Sequence, residues 1–198
     1  MRECGKAVAR RLGTPGFATR YFVGRGIDVG CGDDPLSLYA PLFPLVTEVV
    51  PFDREHGDAQ DLASIPDGAF DFLHSSHCLE HVHDPLLALK HWARVVKPGG
   101  HLIVTVPDED MYEQGVWPST WNGDHKRTFT LWKAESWSPA SVNLLDLIHS
   151  VGRDAEPIRV EKLESTFLPG ARRDQTYDGI AESAIEMVLR RRPSLGLE

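Results

Sequence analysis

The stretch GIDVGCGDD, residues 26–34, constrains the fold of this chain most. Four residues of strand character stop dead at Gly30-Cys31-Gly32, where two glycines let the backbone turn tightly and leave no Cβ in the way of a ligand. Similar short apolar runs follow at 47–52, ending on Asp53, at 70–74 and at 101–106. Residues 84–96 fall between the last two, with Asp84 as a helix N-cap, Pro85 at the first helical position and an apolar face of Leu86, Leu89, Trp92, Ala93 and Val96. Lys97-Pro98-Gly99-Gly100 ends that helix. Strands separated by crossover helices predict an α/β fold with a doubly wound, mostly parallel sheet. Further along, the pattern predicts a helix over 138–151 capped by Ser138, a strand over 157–163, and an amphipathic helix over 178–192 whose Arg190-Arg191-Arg192 run forms a solvated last turn.

In an open parallel sheet, ligands sit beyond the carboxyl ends of the strands. The glycine turn lacks the third glycine of a dinucleotide fingerprint, because position 35 is Pro. Asp33 and Asp34 stand where a pyrophosphate would need bare N–H groups, so an anionic cofactor is disfavoured. S-adenosylmethionine, with a sulfonium, an ammonium and a single carboxylate, suits the turn better. Asp28 would hold the ammonium or brace the loop. Asp53 stands about 20 residues beyond the turn, the spacing of a ribose-binding acid.

GIDVGCGDDP, FD at Asp53, GDAQDL, IPDGAFDFLHSSHCLEHVHDP and ARVVKPGGHLIVTVP occur in that order. Together they resemble the class I S-adenosylmethionine-dependent methyltransferases over residues 26–107. The resemblance implies a Rossmann-like, seven-stranded sheet with helices on both faces and the cofactor over its carboxyl edge. It implies that Gly30, Cys31 and Gly32 line the methionine half, that Asp53 binds the ribose, that Asp58 and Ala59 meet the adenine, and that Ser75, Ser76 and His77 pass beside the methionine. Here Asp34 replaces the family's third glycine, and almost no chain separates Asp53 from Asp58. The stretches PDEDMYEQG to HKRTFT and DQTYDGIAESAIEMVLRRR further resemble methyltransferase-domain proteins found alongside bacterial surface-polysaccharide glycosyltransferases.

His77, Glu80 and His81 spell H-x-x-E-H, a zinc-peptidase signature that requires a continuous helix and a further carboxylate. The early break at His83-Asp84-Pro85 argues against it, so no metal is expected and His81 is given a structural role at the turn around Asp84. His74 and His83 are read as satisfied or solvent-facing. Residues 108–130 are too long for an ordinary connection and begin at the ligand edge of the sheet. Tyr112, Trp117, Trp121 and His125 in this loop are the candidate substrate contacts, with local core as the alternative. An alcohol acceptor needs a base during in-line methyl displacement. His125 is the first candidate, with His77, Asp108 and Glu109 behind it.

The chain's 198 residues suit one domain, divided as an N-terminal cap (1–25), cofactor core (26–107), lid loop (108–130) and C-terminal half (131–198). A formal charge of −8 leaves no basic face for nucleic acid. Three scattered cysteines and the lack of a membrane-length apolar run suit a cytoplasmic protein, monomeric or homodimeric. Leu197-Glu198 is equally well a cloning scar. The leading expectation is methyl transfer to a small-molecule or sugar acceptor. A non-catalytic S-adenosylmethionine-binding scaffold comes second, and a zinc hydrolase built on His77, Glu80 and His81 third.

Overall fold

The computed structural model describes residues 3–193; the terminal Leu197-Glu198 pair lies outside them. The described residues include eight strands: β1 (Gly24–Val29), β2 (Val46–Phe52), β3 (Phe70–Ser76), β4 (Val96–Pro107), β5 (Thr128–Thr130), β6 (Ser141–Asn143), β7 (Ala155–Leu163) and β8 (Ala184–Arg191). Six form the main sheet in the order β2-β1-β3-β4-β8-β7, and β5 pairs with β6 in a separate parallel ribbon. The first four strands of the sheet run parallel, while β8 is antiparallel to both β4 and β7. The expected α/β, doubly wound architecture is therefore present with six strands in the main sheet rather than seven.

Alternation along the central strands separates two cores. Leu73, Leu102, Val104, Met187 and Leu189 face one side, against Ala88, Leu89 and Trp92 of α3 (Pro85–Val95) and Leu147, Ile148 and Val151 of α4 (Leu144–Val151). Phe72, Ile103 and Val188 face the other, against Cys4 and Val8 of α1 (Glu3–Gly13) and Phe17 and Ala18 of α2 (Phe17–Tyr21). Helices thus cover both faces, and β3, β4 and β8 carry apolar residues on both sides, as buried strands require. Asp84 caps α3 as its sequence predicts, its carboxylate accepting the Leu87 N–H.

Three expectations are corrected. Residues 178–192 do not form a helix: β8 is threaded between β4 and β7, with Ala184 to Leu189 all buried. Burial on both faces hides the period of two, and the good helix formers Ala, Glu, Met and Leu are overridden by sheet pairing. The arginine run is consequently no helix end. Arg190 bonds Glu156 on the neighbouring strand, and Arg191 donates to the carbonyls of Arg94 and Val96. The helix expected from Ser138 starts at Leu144 instead, capped by Asn143, whose side chain accepts from Leu145 and Asp146. Ser138 is drawn away because its hydroxyl accepts a hydrogen bond from Thr128, and Ser141–Asn143 pairs with β5. The Lys97–Gly100 stretch is part of β4, where pairing with β3 jumps from Phe70↔Val96 to Phe72↔His101. A Cβ on Gly100 would meet the Asp71 carbonyl at 2.3 Å, so only glycine passes there.

Candidate active site

The glycine turn leaves β1 at the carboxyl edge of the sheet. Gly30 and Gly32 both have positive φ, +72° and +50°. A Cβ on Gly30 would lie 2.4 Å from the Cys78 sulfur, whereas one on Gly32 would meet nothing within 4 Å. The first glycine is thus demanded by packing, and the second faces open space. The Gly32 N–H donates to Asp53 Oδ2 at 2.7 Å, which ties the turn to the end of β2. The other Asp53 oxygen accepts the Arg54 N–H at 2.7 Å.

Asp28 braces the loop. Its Oδ2 accepts the Leu36 N–H at 2.6 Å, and its Oδ1 lies 2.6 Å from His74 Nδ1. The Arg11 guanidinium faces His74 Nε2 at 3.0 Å, so the donor on this ring is Nδ1–H, directed at Asp28. Arg11 in turn pairs with Glu186 of β8 at 2.7 Å. This fully buried chain from β8 through α1 and β3 to β1 fixes the turn from behind, and it is where His74 finds its partners. Asp34 is equally committed, accepting the Gly5 N–H and the Tyr39 hydroxyl at 2.9 and 2.6 Å.

Two cavities meet at Gly30, Gly32 and His77. The larger, about 880 Å³, also borders Asp53, Asp58, Ala59, Gln60, His81 and Asp124. The smaller, about 190 Å³, borders Asp28, Cys31, Ser76 and, from α1, Glu3 and Cys4. Of the residues expected around a cofactor, only Ser75 borders neither, being buried with its hydroxyl donating to the Val29 carbonyl at 2.9 Å. The segment carrying Asp58 and Ala59 crosses the short gap after β2 without a helix. The Ala59 carbonyl accepts Trp92 Nε1–H at 2.7 Å, and Arg94 of α3 bonds the Leu62 and Ile65 carbonyls at 3.0 and 2.8 Å.

The wall beside His77 holds a concentration of titratable groups. His77 itself has φ +54°, and its Nε2 is buried without a hydrogen-bond partner. Burial pushes this imidazole down to about 3, with the neighbouring His125, Lys6 and His81 side chains acting the same way. Glu80 is fully buried with both carboxylate oxygens unpartnered, and burial raises it to about 7. Glu3 of α1, 3.5 Å from His77 Nε2, is likewise raised by burial to about 7 against the pull of Lys6. Burial lifts the Cys31 thiol to about 11, so it is no thiolate nucleophile near neutral pH.

His125 arrives from the long loop. The Glu80 carbonyl accepts the Lys126 and Arg127 N–H groups at 2.8 and 3.1 Å, and the Arg127 guanidinium grips the His83 carbonyl at 2.8 Å. These bonds place His125 Nε2 and His81 Nε2 each 3.9 Å from Glu80 Oε1. The His125 ring is buried, with Nδ1 2.7 Å from Glu113 Oε1. His81 Nδ1 lies 3.2 Å from Asp124 Oδ2.

The other loop candidates are placed differently. Asp108 accepts the Asp110 and Met111 N–H groups at 3.2 Å, capping a single turn over Glu109–Glu113. Glu109 is buried among Thr128, Ser136, Ser141 and Lys133. Neither borders either of these two cavities, and neither do Tyr112, Trp117, Trp121 or His125. Trp121 donates to the Tyr112 carbonyl at 2.9 Å, so the pair builds the loop's interior. The loop residues that do border the larger cavity are Asp124 and Lys126. Sequence reading passed over Glu3, Glu113 and Asp124 as site residues and took up Glu80 only in the third-ranked zinc reading. Only Glu80 had a sequence signal, its place in H-x-x-E-H.

A family model described as methyltransferase domain matches residues 2–149. Among curated proteins, a ubiquinone biosynthesis O-methyltransferase of Xanthomonas oryzae pv. oryzae is 33% identical over 100 residues, covering 41% of this chain and 42% of that protein. One from Xanthomonas campestris pv. campestris is 32% identical over 117 residues, covering 50% and 46%. The chain therefore spans less than half the length of these curated relatives. Solved structures share the fold. A SAM-dependent methyltransferase of Archaeoglobus fulgidus superposes with a TM-score of 0.60 at 17% identity, covering 96% of this chain and 95% of that one. For one from Mesorhizobium loti the score is 0.54 at 16% identity, covering 90% and 99%. With three quarters of its length matched by the family model, the chain belongs to the methyltransferase-domain family of class I, S-adenosylmethionine-dependent enzymes.

Proposed function

We propose that this protein methylates an oxygen of a small hydroxylated molecule. The observation that carries the reading is the continuous cavity from the glycine turn and Asp53 to His77 and His81, with Glu80 buried behind them. It joins a cradle for the methyl donor to the polar groups an alcohol acceptor needs. The chain's own residues fit the donor: open space beyond Gly32, a ribose-binding acid at Asp53 with acceptor capacity left on both oxygens, and Asp58 and Ala59 further along for the adenine. Cys31 and Ser76 would flank the methionine half. Asp28 acts through the loop that it braces.

S-adenosylmethionine, when bound, supplies a methyl group already activated on sulfonium. What remains for the protein is positioning, exclusion of water and management of the acceptor's proton. His77 lines the cavity with Nε2 shielded from water, and the buried Glu80 and His125 lie behind it. The O-methyltransferase names of the curated relatives favour oxygen over nitrogen or carbon. A sugar hydroxyl and a phenol share this chemistry. The described residues include no helix long and apolar enough to cross a membrane.

The test is transfer of labelled methyl from S-adenosylmethionine to panels of phenols, sugars and amines. Transfer to hydroxyl acceptors, strongly reduced by His125→Ala with S-adenosylhomocysteine affinity unchanged, is the expected result. Transfer to amines alone, or unchanged turnover in that variant, would overturn the oxygen assignment or the role of His125.

A further inference from the structure

Glu80, His81 and His125 bring one carboxylate oxygen and two imidazole nitrogens within 4.8 Å of one another. The two histidines are held in the same way. Each turns Nδ1 to a carboxylate, His125 to Glu113 at 2.7 Å and His81 to Asp124 at 3.2 Å. A neutral imidazole that donates from Nδ1 keeps a lone pair on Nε2. Both Nε2 atoms lie 3.9 Å from Glu80 Oε1, too far for a hydrogen bond to either and close enough for a shared ion. Glu80 has no exposure and neither oxygen has a hydrogen-bond partner. A buried carboxylate in that condition costs several kcal/mol unless a positive charge meets it.

We propose that Glu80, His81 and His125 form a binding site for a divalent transition-metal cation of the zinc class. Carboxylate–histidine pairs that fix the ring and raise its basicity are the usual outer support of such sites, and here Glu113 and Asp124 provide both. A tetrahedral site with bonds of about 2.0–2.1 Å sets its donors roughly 3.3 Å apart, so donors that lie within 4.8 Å of one another have to close by about 0.6 to 1.5 Å on the ion. Two imidazoles with one carboxylate suit zinc, cobalt, nickel or iron better than magnesium, which prefers oxygen throughout. Three protein donors leave a position for an outside ligand. Because His81 borders the larger cavity, that ligand can be an acceptor hydroxyl. This last role alone rests on the methyl-transfer reading.

The site differs from the zinc-peptidase arrangement its sequence suggests. His81 ends a single short turn, Leu79–His81, rather than a long helix, and His77, whose Nδ1 lies 3.6 Å from Oε1, does not belong to the three-donor cluster. The third donor comes from the loop 45 residues after Glu80.

The test is cobalt titration of the chelator-treated protein, followed by displacement with zinc. The expected result is one equivalent of cobalt with visible d–d bands and no sulfur-to-cobalt charge transfer, lost in both Glu80→Gln and His81→Gln. Asp124→Asn, which leaves every donor in place, is expected to weaken binding about 10-fold. Circular dichroism melts confirm that each variant is folded. Absence of cobalt binding to folded wild type, a sulfur charge-transfer band, or unchanged affinity in both ligand variants would each overturn the proposal. S-adenosylhomocysteine binding on the same samples separates the readings: its loss with metal binding intact would count against methyl transfer alone.

Discussion

Glu113 Oε1 lies 2.7 Å from His125 Nδ1, and both side chains are buried. They are 12 residues apart in one loop, joined by a bond that sets which ring nitrogen faces Glu80. Glu113 touches neither cavity, so its effect on the site passes through the imidazole.

Replacing it isolates that influence. Glu113→Gln keeps the shape and can present its amide to Nδ1 in the wrong sense. Methyl transfer is expected to fall about 10- to 100-fold with S-adenosylhomocysteine affinity unchanged. Glu113→Asp should retain more activity than the Gln variant. Equal loss in both, tracking a drop in thermal stability, would reduce Glu113 to a packing residue.

Glu109, next door in the same turn, should behave in the opposite way. It accepts from Thr128, Ser136 and Ser141 and pairs with Lys133, so it holds the loop to the β5–β6 ribbon. Glu109→Gln is expected to destabilise by about 1–3 kcal/mol in urea titrations while activity per folded molecule stays near wild type. A specific loss of turnover at full stability would restore it as a catalytic candidate.

The two glycines of the turn should separate stability from binding. Gly30→Ala drives a methyl group to 2.4 Å from the Cys78 sulfur at φ +72° and should cost about 3 kcal/mol or more. Gly32→Ala meets nothing and should cost about 1 kcal/mol of backbone preference. Its methyl occupies the cofactor side of the turn, so S-adenosylhomocysteine affinity should fall. Denaturation and calorimetry on both variants check the contrast; equal stability losses would contradict it.

Glu186 governs an acid-dependent share of stability. Burial alone would raise its carboxyl, but the charge of Arg11 and the bonds and charge of Arg10 outweigh it and hold the group at about 2, from an ordinary 4.5. A carboxyl depressed on folding stabilises the protein above its unfolded value and loses that contribution as pH falls through the folded one. Between pH 4.5 and 2, wild type should lose on the order of 3 kcal/mol through this group, a loss absent from Glu186→Gln. Denaturant melts across that range read it directly. Parallel pH curves for the two proteins would show that the Arg10–Arg11–Glu186 cluster is not the source.

The parts of this molecule legible in its sequence are those set by local chemistry. Asp84 and Pro85 announce the start of α3, and GIDVGCG announces a strand running into a glycine turn. β8 was illegible because its determinant is remote: Glu186 finds its partners on α1, 175 and 176 residues away, and the flanking apolar residues are buried on both faces. The site shows the same division. Gly30, Gly32, Asp53, Asp58 and Ala59 lie in sequence-local motifs and do border the larger cavity. Glu3, Glu113 and Asp124 acquire their positions only when α1 and the long loop close on His77 and His81. The aromatics Tyr112 and Trp121 read as substrate contacts because composition does not distinguish a loop's wall from its interior.

Calorimetric titration of chelator-treated, ligand-free protein with S-adenosylhomocysteine tests the central claim most directly. The account predicts one-to-one binding that is strongly weakened in Asp53→Ala, the residue that joins the glycine turn to the end of β2. Absence of binding to the folded wild-type protein would contradict it.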